Sequence, residues 1–294
     1  SRNSIRASGG RDRNRGFLPL YLRHFGLTEF PFGITPDTSF TFSAHGHQEA
    51  LNTLLVALQC GEGFVKITGE VGTGKTLLCR RLLQTLGEGV VTAYLPNPNL
   101  EPQTLLLALT EELRIADTGG LDQYHLLRRI NHALLDHARA NKRVVLCIDE
   151  AQAMPLETLE ALRLVSNLET EKRKLIQIVL FGQPELDEKL ADPSVRQLLQ
   201  RITFHQRLEG LGKEEIALYL QHRMRVAGYR GEPLFTAGAV RALRRATHGT
   251  PRLINVLAHK ALLSAFGEGR QVVKFRHVKG AARDTEGARS PGWW

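Results

Sequence analysis

The chain has 294 residues, 42% of them hydrophobic and 23% charged, and it carries a formal net charge of +9. That length can bury one sizeable core, or one core plus a smaller satellite, and the composition is ordinary for a globular protein. No apolar run approaches the roughly 18–20 residues needed to cross a bilayer, and the arginines near the N-terminus precede no continuous apolar stretch, so neither a membrane span nor a signal peptide is expected.

Three cysteines, Cys60, Cys79 and Cys147, form an odd and scattered set without metal-ligand spacing. Each sits in an apolar stretch, so all three are expected to be buried thiols in a reducing cytosol. The histidines, His45 and His47 among them, likewise lack ligand spacing. The basic excess belongs to the ends of the chain. Residues 1–24 hold six Arg and one Asp, and residues 239–262 hold Arg241, Arg244, Arg245, Arg252 and Lys260 with no acid. Residues 263–294 add six basic and three acidic side chains, while residues 25–238 are net acidic. Such runs are usually solvated faces, and a nucleic-acid partner is the minor reading.

Residues 1–20, rich in Arg, Ser, Gly and Asn, show no periodicity and read as a disordered extension. Apolar residues at helical spacing follow over 46–59 (Ala50, Leu51, Leu54, Leu55, Leu58). A strand is predicted over 63–68, then a Gly-rich turn and a helix over 75–86. A second strand is predicted over 90–95, and helices over 102–115 and 122–140, separated by Gly119-Gly120. Strands over 144–149, 175–182 and 202–208 alternate with a helix over 155–168 and a short helix ending near Arg201. This alternation, with near-continuous apolar strands, predicts a parallel five-stranded sheet covered on both faces. After Gly210 only helices are predicted, over 213–227, 236–246 and 251–266. A boundary near 209–212 therefore divides a domain over 21–209 from a helical domain over 210–282, with a tail over 283–294.

The segment Gly69-Glu70-Val71-Gly72-Thr73-Gly74-Lys75-Thr76 matches G-x-x-x-x-G-K-[ST], preceded by FVKIT and followed by TLLCRRLLQTL. A strand before and a helix after are the context of a true P-loop. Glycines let the loop wrap so that backbone N–H groups, through Leu77, point at phosphate oxygens, and the helix N-terminus adds its positive dipole end. Lys75 supplies a point charge to the β- and γ-phosphates of ATP, and the Thr76 hydroxyl is a ligand for Mg2+. The apolar strand Val-Val-Leu-Cys-Ile ends in Asp149-Glu150. Beside a P-loop, Asp149 is expected to hold the magnesium and Glu150 to act as general base on the attacking water.

With these motifs in place, the chain resembles the AAA+ ATPases of the GspA/ExeA secretion group, including its short pilus-biogenesis members. The segments that carry the likeness are YLRHFGL (21–27), PFGITPD (31–37), GEGFVKITGEVGTGKTLLCR (61–80), IDEAQ (148–152), FGQPEL (181–186) and GTPRLIN (249–255). The resemblance implies a P-loop NTPase (AAA+) α/β three-layer sandwich with the P-loop strand central and a small C-terminal α-helical lid. It places Gln183 at the sensor-1 position, where it would help to place the water, although a plain turn residue before Pro184 remains the alternative. It places Arg201 at the arginine-finger position, acting on the γ-phosphate of a neighbouring subunit and so implying a homo-oligomer. Arg196 is the competitor for that role. Arg252, after Thr250-Pro251, matches sensor 2, and residues 32–37 lie where relatives cover the base. The implied partners are pilus or secretion assembly proteins at the inner membrane, served by a cytoplasmic or peripherally bound ATPase. The alternative is a DNA-associated ATPase of the transposition-helper type.

Overall fold

The computed structural model describes residues 20–33, 45–170 and 173–289. The expected disorder over 1–20 does not hold at Leu20, which opens a short helix; residues 1–19, and the last residues of the expected tail, lie outside the described residues. Contacts divide the chain into two compact units that meet in sequence at Gly210 and Leu211.

The first unit begins with helix α2 (His45–Gln59), which follows the short helix α1 (Leu20–Phe25) in the chain. Strand β1 (Phe64–Gly69) leads into helix α3 (Lys75–Thr85). Next come β2 (Val90–Leu95), α4 (Pro102–Glu112), α5 (Gln123–Arg139), β3 (Arg143–Ile148), α6 (Leu156–Ser166) and β4 (Gln177–Gly182). Two short helices, α7 (Glu185–Leu190) and α8 (Arg196–Leu199), precede β5 (Ile202–Leu208). Every strand pair is parallel, and the order across the sheet is β2-β3-β4-β1-β5.

The continuous apolar strands are explained by this arrangement, because successive side chains serve opposite faces. Val144, Leu146 and Ile148 of β3 and Ile178 and Leu180 of β4 enter one core, packed with Leu105, Leu126, Ile130, Leu134 and Leu162 from α4, α5 and α6. The alternate residues Val145, Cys147, Val179 and Phe181 join Leu51, Leu54 and Leu58 of α2 and Leu78 and Leu82 of α3 on the other side. The result is a three-layer α/β sandwich. One expectation needs correction: β1 is an interior strand, but β4 holds the middle of the sheet. After α3 the chain crosses to the far edge at β2 and returns through β3 and β4, so only β5 remains to cover the outer side of β1.

A second correction concerns Cys60, which is exposed, while Cys79 and Cys147 are buried. The inward face of α2 is set by Leu51, Leu54 and Leu58. Two residues further on, the chain leaves the helix through Gly61 at φ 82°, and Cys60 points away from that face.

The second unit holds α1 together with α9 (Lys213–Val226), α10 (Ala237–Thr247), α11 (Pro251–Gly267) and α12 (Phe275–Arg283). Residues 21–33 are expected from the sequence to belong with the strands, yet they pack with these helices. The reason is polar as well as apolar. The buried Arg223 donates to the carbonyl of Pro31 at 2.5 Å, and Asn255 donates to that of Gly33 at 3.2 Å. Tyr219 joins the two by donating to Asn255 Oδ1 at 2.8 Å. No helix among the described residues is long and apolar enough to cross a membrane.

Leu134 is fully buried between α5 and the sheet. Leu134→Ala should therefore remove about 2–5 kcal/mol of stability through lost transfer energy and a residual cavity. The measurement is the midpoint of urea unfolding, which should fall while the slope stays the same.

Candidate active site at the carboxyl ends of the strands

The loop between β1 and α3 is shaped by its glycines. Gly72 has φ 80° and Gly74 φ 98°, backbone states that only glycine adopts without strain. Gly74 caps α3 without any side-chain cap, its carbonyl accepting from Leu78 N at 2.9 Å. The turn closes on itself, since Thr73 N and Thr73 Oγ1 both donate to the Glu70 carbonyl, at 3.2 and 2.8 Å. The first N–H groups of α3 thus lack an intrahelical acceptor, the arrangement that favours an anion. His47 of α2 backs the loop, with Nε2 2.8 Å from the Thr73 carbonyl.

Lys75 is buried, and its ammonium donates to the carbonyls of Gly69 at 2.7 Å and Glu70 at 3.0 Å. Burial lowers its pKa, while the carboxylates of Glu150, Asp149, Glu70 and Glu185 oppose that shift. Thr76, one residue on, donates its hydroxyl to Asp149 Oδ2 at 2.6 Å across 73 residues of sequence. Asp149 is 2% exposed. Burial raises its pKa, and the hydrogen bonds from Thr76 and from Glu150 N, the latter at 3.0 Å to Oδ1, pull it back. Tyr94 of β2 lies within the influence of Asp149, and its own pKa is pushed up to about 12, chiefly by burial and then by that charge.

Glu150 turns the other way. It leaves the strand in the left-handed region, at φ 53° and ψ 37°, and opens the short turn Ala151–Ala153. Its Oε2 accepts from Gln183 Nε2 at 3.0 Å and from Gln152 Nε2 at 2.6 Å. Gln183 stands one residue past β4, the strand that pairs with β3, which explains why the two ends meet. The structure therefore brings Gly69, Glu70, Thr73, Gly74, Lys75, Thr76, Asp149, Glu150 and Gln183 together at the carboxyl ends of β1, β3 and β4. Val71 is exposed at the loop's tip, and Leu77 is half-buried in the first turn of α3. Gln152 and Tyr94 escaped the sequence reading. IDEAQ contained the first without any sign of its direction, and nothing in the sequence near Tyr94 marks it.

The arginines are elsewhere. Arg201 stands just before β5 and donates to Ser166 Oγ at 3.1 Å. Since β5 runs parallel to β1, with Ile202 beside Phe64 and Leu208 beside Gly69, Arg201 lies at the opposite end of the strands from the loop. Six residues of strand put roughly 20 Å between them, beyond the reach of one arginine side chain. Arg196, its competitor, is exposed at the first position of α8. Arg252 is exposed in the first turn of α11, in the other unit. Of residues 32–37, Phe32 is buried against Phe235 with the rings edge-on, and 34–37 lie outside the described residues.

The oxygen donors Thr76 and Asp149 are hard ligands that fit a magnesium ion. Loop amides, one ammonium, the Asp149 carboxylate and an amide-clamped Glu150 are a set that can bind a nucleoside triphosphate and deprotonate water.

Comparisons with known proteins agree with this geometry. The AAA domain family matches residues 59–190. General secretion pathway protein A of Aeromonas hydrophila is 41% identical over 275 residues, covering 94% of this chain and 50% of that protein. The RuvB subunit of the Holliday junction branch migration complex of Chlamydia felis is 26% identical over 206 residues, covering 69% and 54%. The chain thus spans about half the length of these curated relatives. Among solved structures, Cdc6p of Pyrobaculum aerophilum superimposes with a TM-score of 0.64 at 18% identity, over 85% of this chain and 71% of that one, a likeness of fold. A P-loop in its strand-to-helix context, a parallel sheet in the order β2-β3-β4-β1-β5 and the AAA domain match give this chain the AAA+ fold, and over 94% of its own length it is similar to general secretion pathway protein A.

Proposed function

We propose that the chain is a magnesium-dependent ATPase that assists assembly of a secretion machine or a type IV-like pilus. One observation carries the catalytic part: the Thr76 hydroxyl lies 2.6 Å from the Asp149 carboxylate, joining the two motifs that a nucleotide-bound magnesium requires. The loop amides from Gly69 to Leu77 cradle the phosphates, and Lys75 exchanges its carbonyl partners for β- and γ-phosphate oxygens. Thr76 and Asp149 hold the metal, which when bound neutralises charge on the phosphates. Glu150 takes a proton from the attacking water, while Gln183 helps to hold that water in line. Arg252 serves as sensor 2.

Arg201 acts on the γ-phosphate of a neighbouring chain, a reading supported by its place at the far end of the strands from its own loop. The secretion or pilus role is supported by the likeness to general secretion pathway protein A. Its partners are assembly proteins at the inner membrane, reached from the cytoplasm. Contact with nucleic acid is the second reading, supported by the exposed Arg241 and Arg245 of α10 and the likeness to a RuvB subunit.

Lys75→Ala should abolish binding of a fluorescent ATP analogue. Glu150→Gln should keep that binding and lower phosphate release by roughly 10²–10⁴-fold. Unaltered affinity in the first variant would overturn the site. Arg201→Ala and Glu150→Gln should each be nearly inactive alone, yet a mixture of the two should recover turnover, because one chain brings the arginine and the other the base. A mixture as inactive as its parts would rule out action between chains. In cells, Asp149→Asn should abolish surface pili or secretion, scored by electron microscopy and by secreted protein in the medium; normal levels of both would refute the assembly role.

A further inference from the structure

Three hydrogen bonds close a ring around the base. Gln152 Nε2 donates to Glu150 Oε2 at 2.6 Å, Gln183 Nε2 donates to the same oxygen at 3.0 Å, and the backbone N–H of Gln183 donates to Gln152 Oε1 at 3.0 Å. The ring settles its own chemistry. A backbone N–H can only donate, so the atom of Gln152 that faces Gln183 must be its carbonyl oxygen, and its amide nitrogen must face Glu150. Gly182 lets the end of β4 pack closely on α7: a side chain there would place its Cβ 2.7 Å from Leu186 Cδ2, while Gln152 Oε1 would stand at an ordinary contact distance of 3.4 Å.

We infer that Gln152 is a positioning residue for the base: it fixes which oxygen of Glu150 accepts the proton from water, and it locks that choice to the end of β4. The inference rests on the ATPase reading above and extends it. With two donors on Oε2, that oxygen's lone pairs are committed, and Oε1 is left to accept a proton. Glu150 leaves β3 in a left-handed state, and its backbone is fixed by the turn, its carbonyl accepting from Ala153 N at 2.8 Å, while its carboxylate is held by these two side-chain amides. Gln183 supplies one of them directly. Gln152 supplies the other, and by accepting from Gln183 N it also holds the sensor residue in place. Removing Gln152 thus loosens both groups that act on water, while the phosphate cradle and the metal ligands, which it does not touch, stay intact.

The test uses the full chain and four variants, Gln152→Leu, Gln183→Leu, the double Gln152→Leu/Gln183→Leu, and Glu150→Gln, with steady-state phosphate release, titration of a fluorescent ATP analogue and thermal melting. Gln152→Leu should lower kcat roughly 10–100-fold, as loss of a group that orients a catalytic one does, with KM and analogue affinity changed by less than about twofold. The double variant should be little worse than the poorer single one, because the two amides act as a unit. Wild-type kcat in Gln152→Leu overturns the inference. So does a loss matched by analogue affinity or by melting temperature, which would mark a merely structural role, and so does a double variant whose losses multiply. If the wild type releases no more phosphate than Glu150→Gln, the ATPase reading and this inference fall together; if the wild type turns over and Gln152→Leu equals it, this inference falls alone.

Discussion

The contact between Thr76 and Asp149 is the constraint on which the rest of the site depends. It ties the first turn of α3 to the end of β3, so the P-loop and the acidic strand end occupy one place although 73 residues separate them. The arrangement is costly by itself. Two carboxylates and one ammonium are drawn out of water, and burial pulls Lys75 down and pushes Asp149 up. Partial compensation comes from short-range partners: carbonyls for Lys75, a hydroxyl and an amide for Asp149, two amides for Glu150. A cluster held this way favours a cation beside Asp149 and an anion beside Lys75, which is the pairing that a metal-bound triphosphate offers.

Parallel topology explains why these residues meet. In an open parallel sheet the carboxyl ends of the strands collect the loops that bind ligands. Here β1 ends in the phosphate loop, β3 in Asp149-Glu150 and β4 in Gln183. Because β4 lies between β1 and β3, it stands next to both the cradle and the base. A group at its end can therefore touch Glu150 while its strand supports the P-loop strand, and Gly182 leaves room there for the Leu186 side chain.

What could be read from the sequence follows from how local each signal is. The P-loop needs glycines and a lysine at fixed spacing, so its function is written in eight adjacent residues, and the apolar runs of β1, β3 and β4 announce a sheet buried on both faces. Helix α12 lies outside the sequence expectation because Gly280 and the basic Arg276, Lys279 and Arg283 dilute its apolar face, which in the fold comes down to His277, Val278, Ala281 and Ala282. The packing of residues 20–33 onto the helical unit was hidden for another reason. It rests on Arg223 and Asn255 reaching backbone carbonyls about 190 to 220 positions away, a choice that neither side chain declares. Gln152 belongs to the same class. Its direction is set by the neighbouring strand's N–H, and strand order is not a local property of any segment.

The far position of Arg201 leads to one further step. A residue at the amino end of β5 and a phosphate cradle at the carboxyl end of β1 are separated by the length of the strands themselves, and no side-chain rotation closes that distance. Any role for Arg201 in catalysis must then be exercised on a different chain. Its present partner, Ser166 at the last position of α6, accepts from the guanidinium with an uncharged hydroxyl oxygen, which an anionic phosphate oxygen of a neighbouring chain would outcompete. On this reading the sandwich contains two halves of an active site at opposite ends of its strands, and the proposed ATPase gains its full set of charges only where the amino-end surface of one chain meets the carboxyl-end surface of the next.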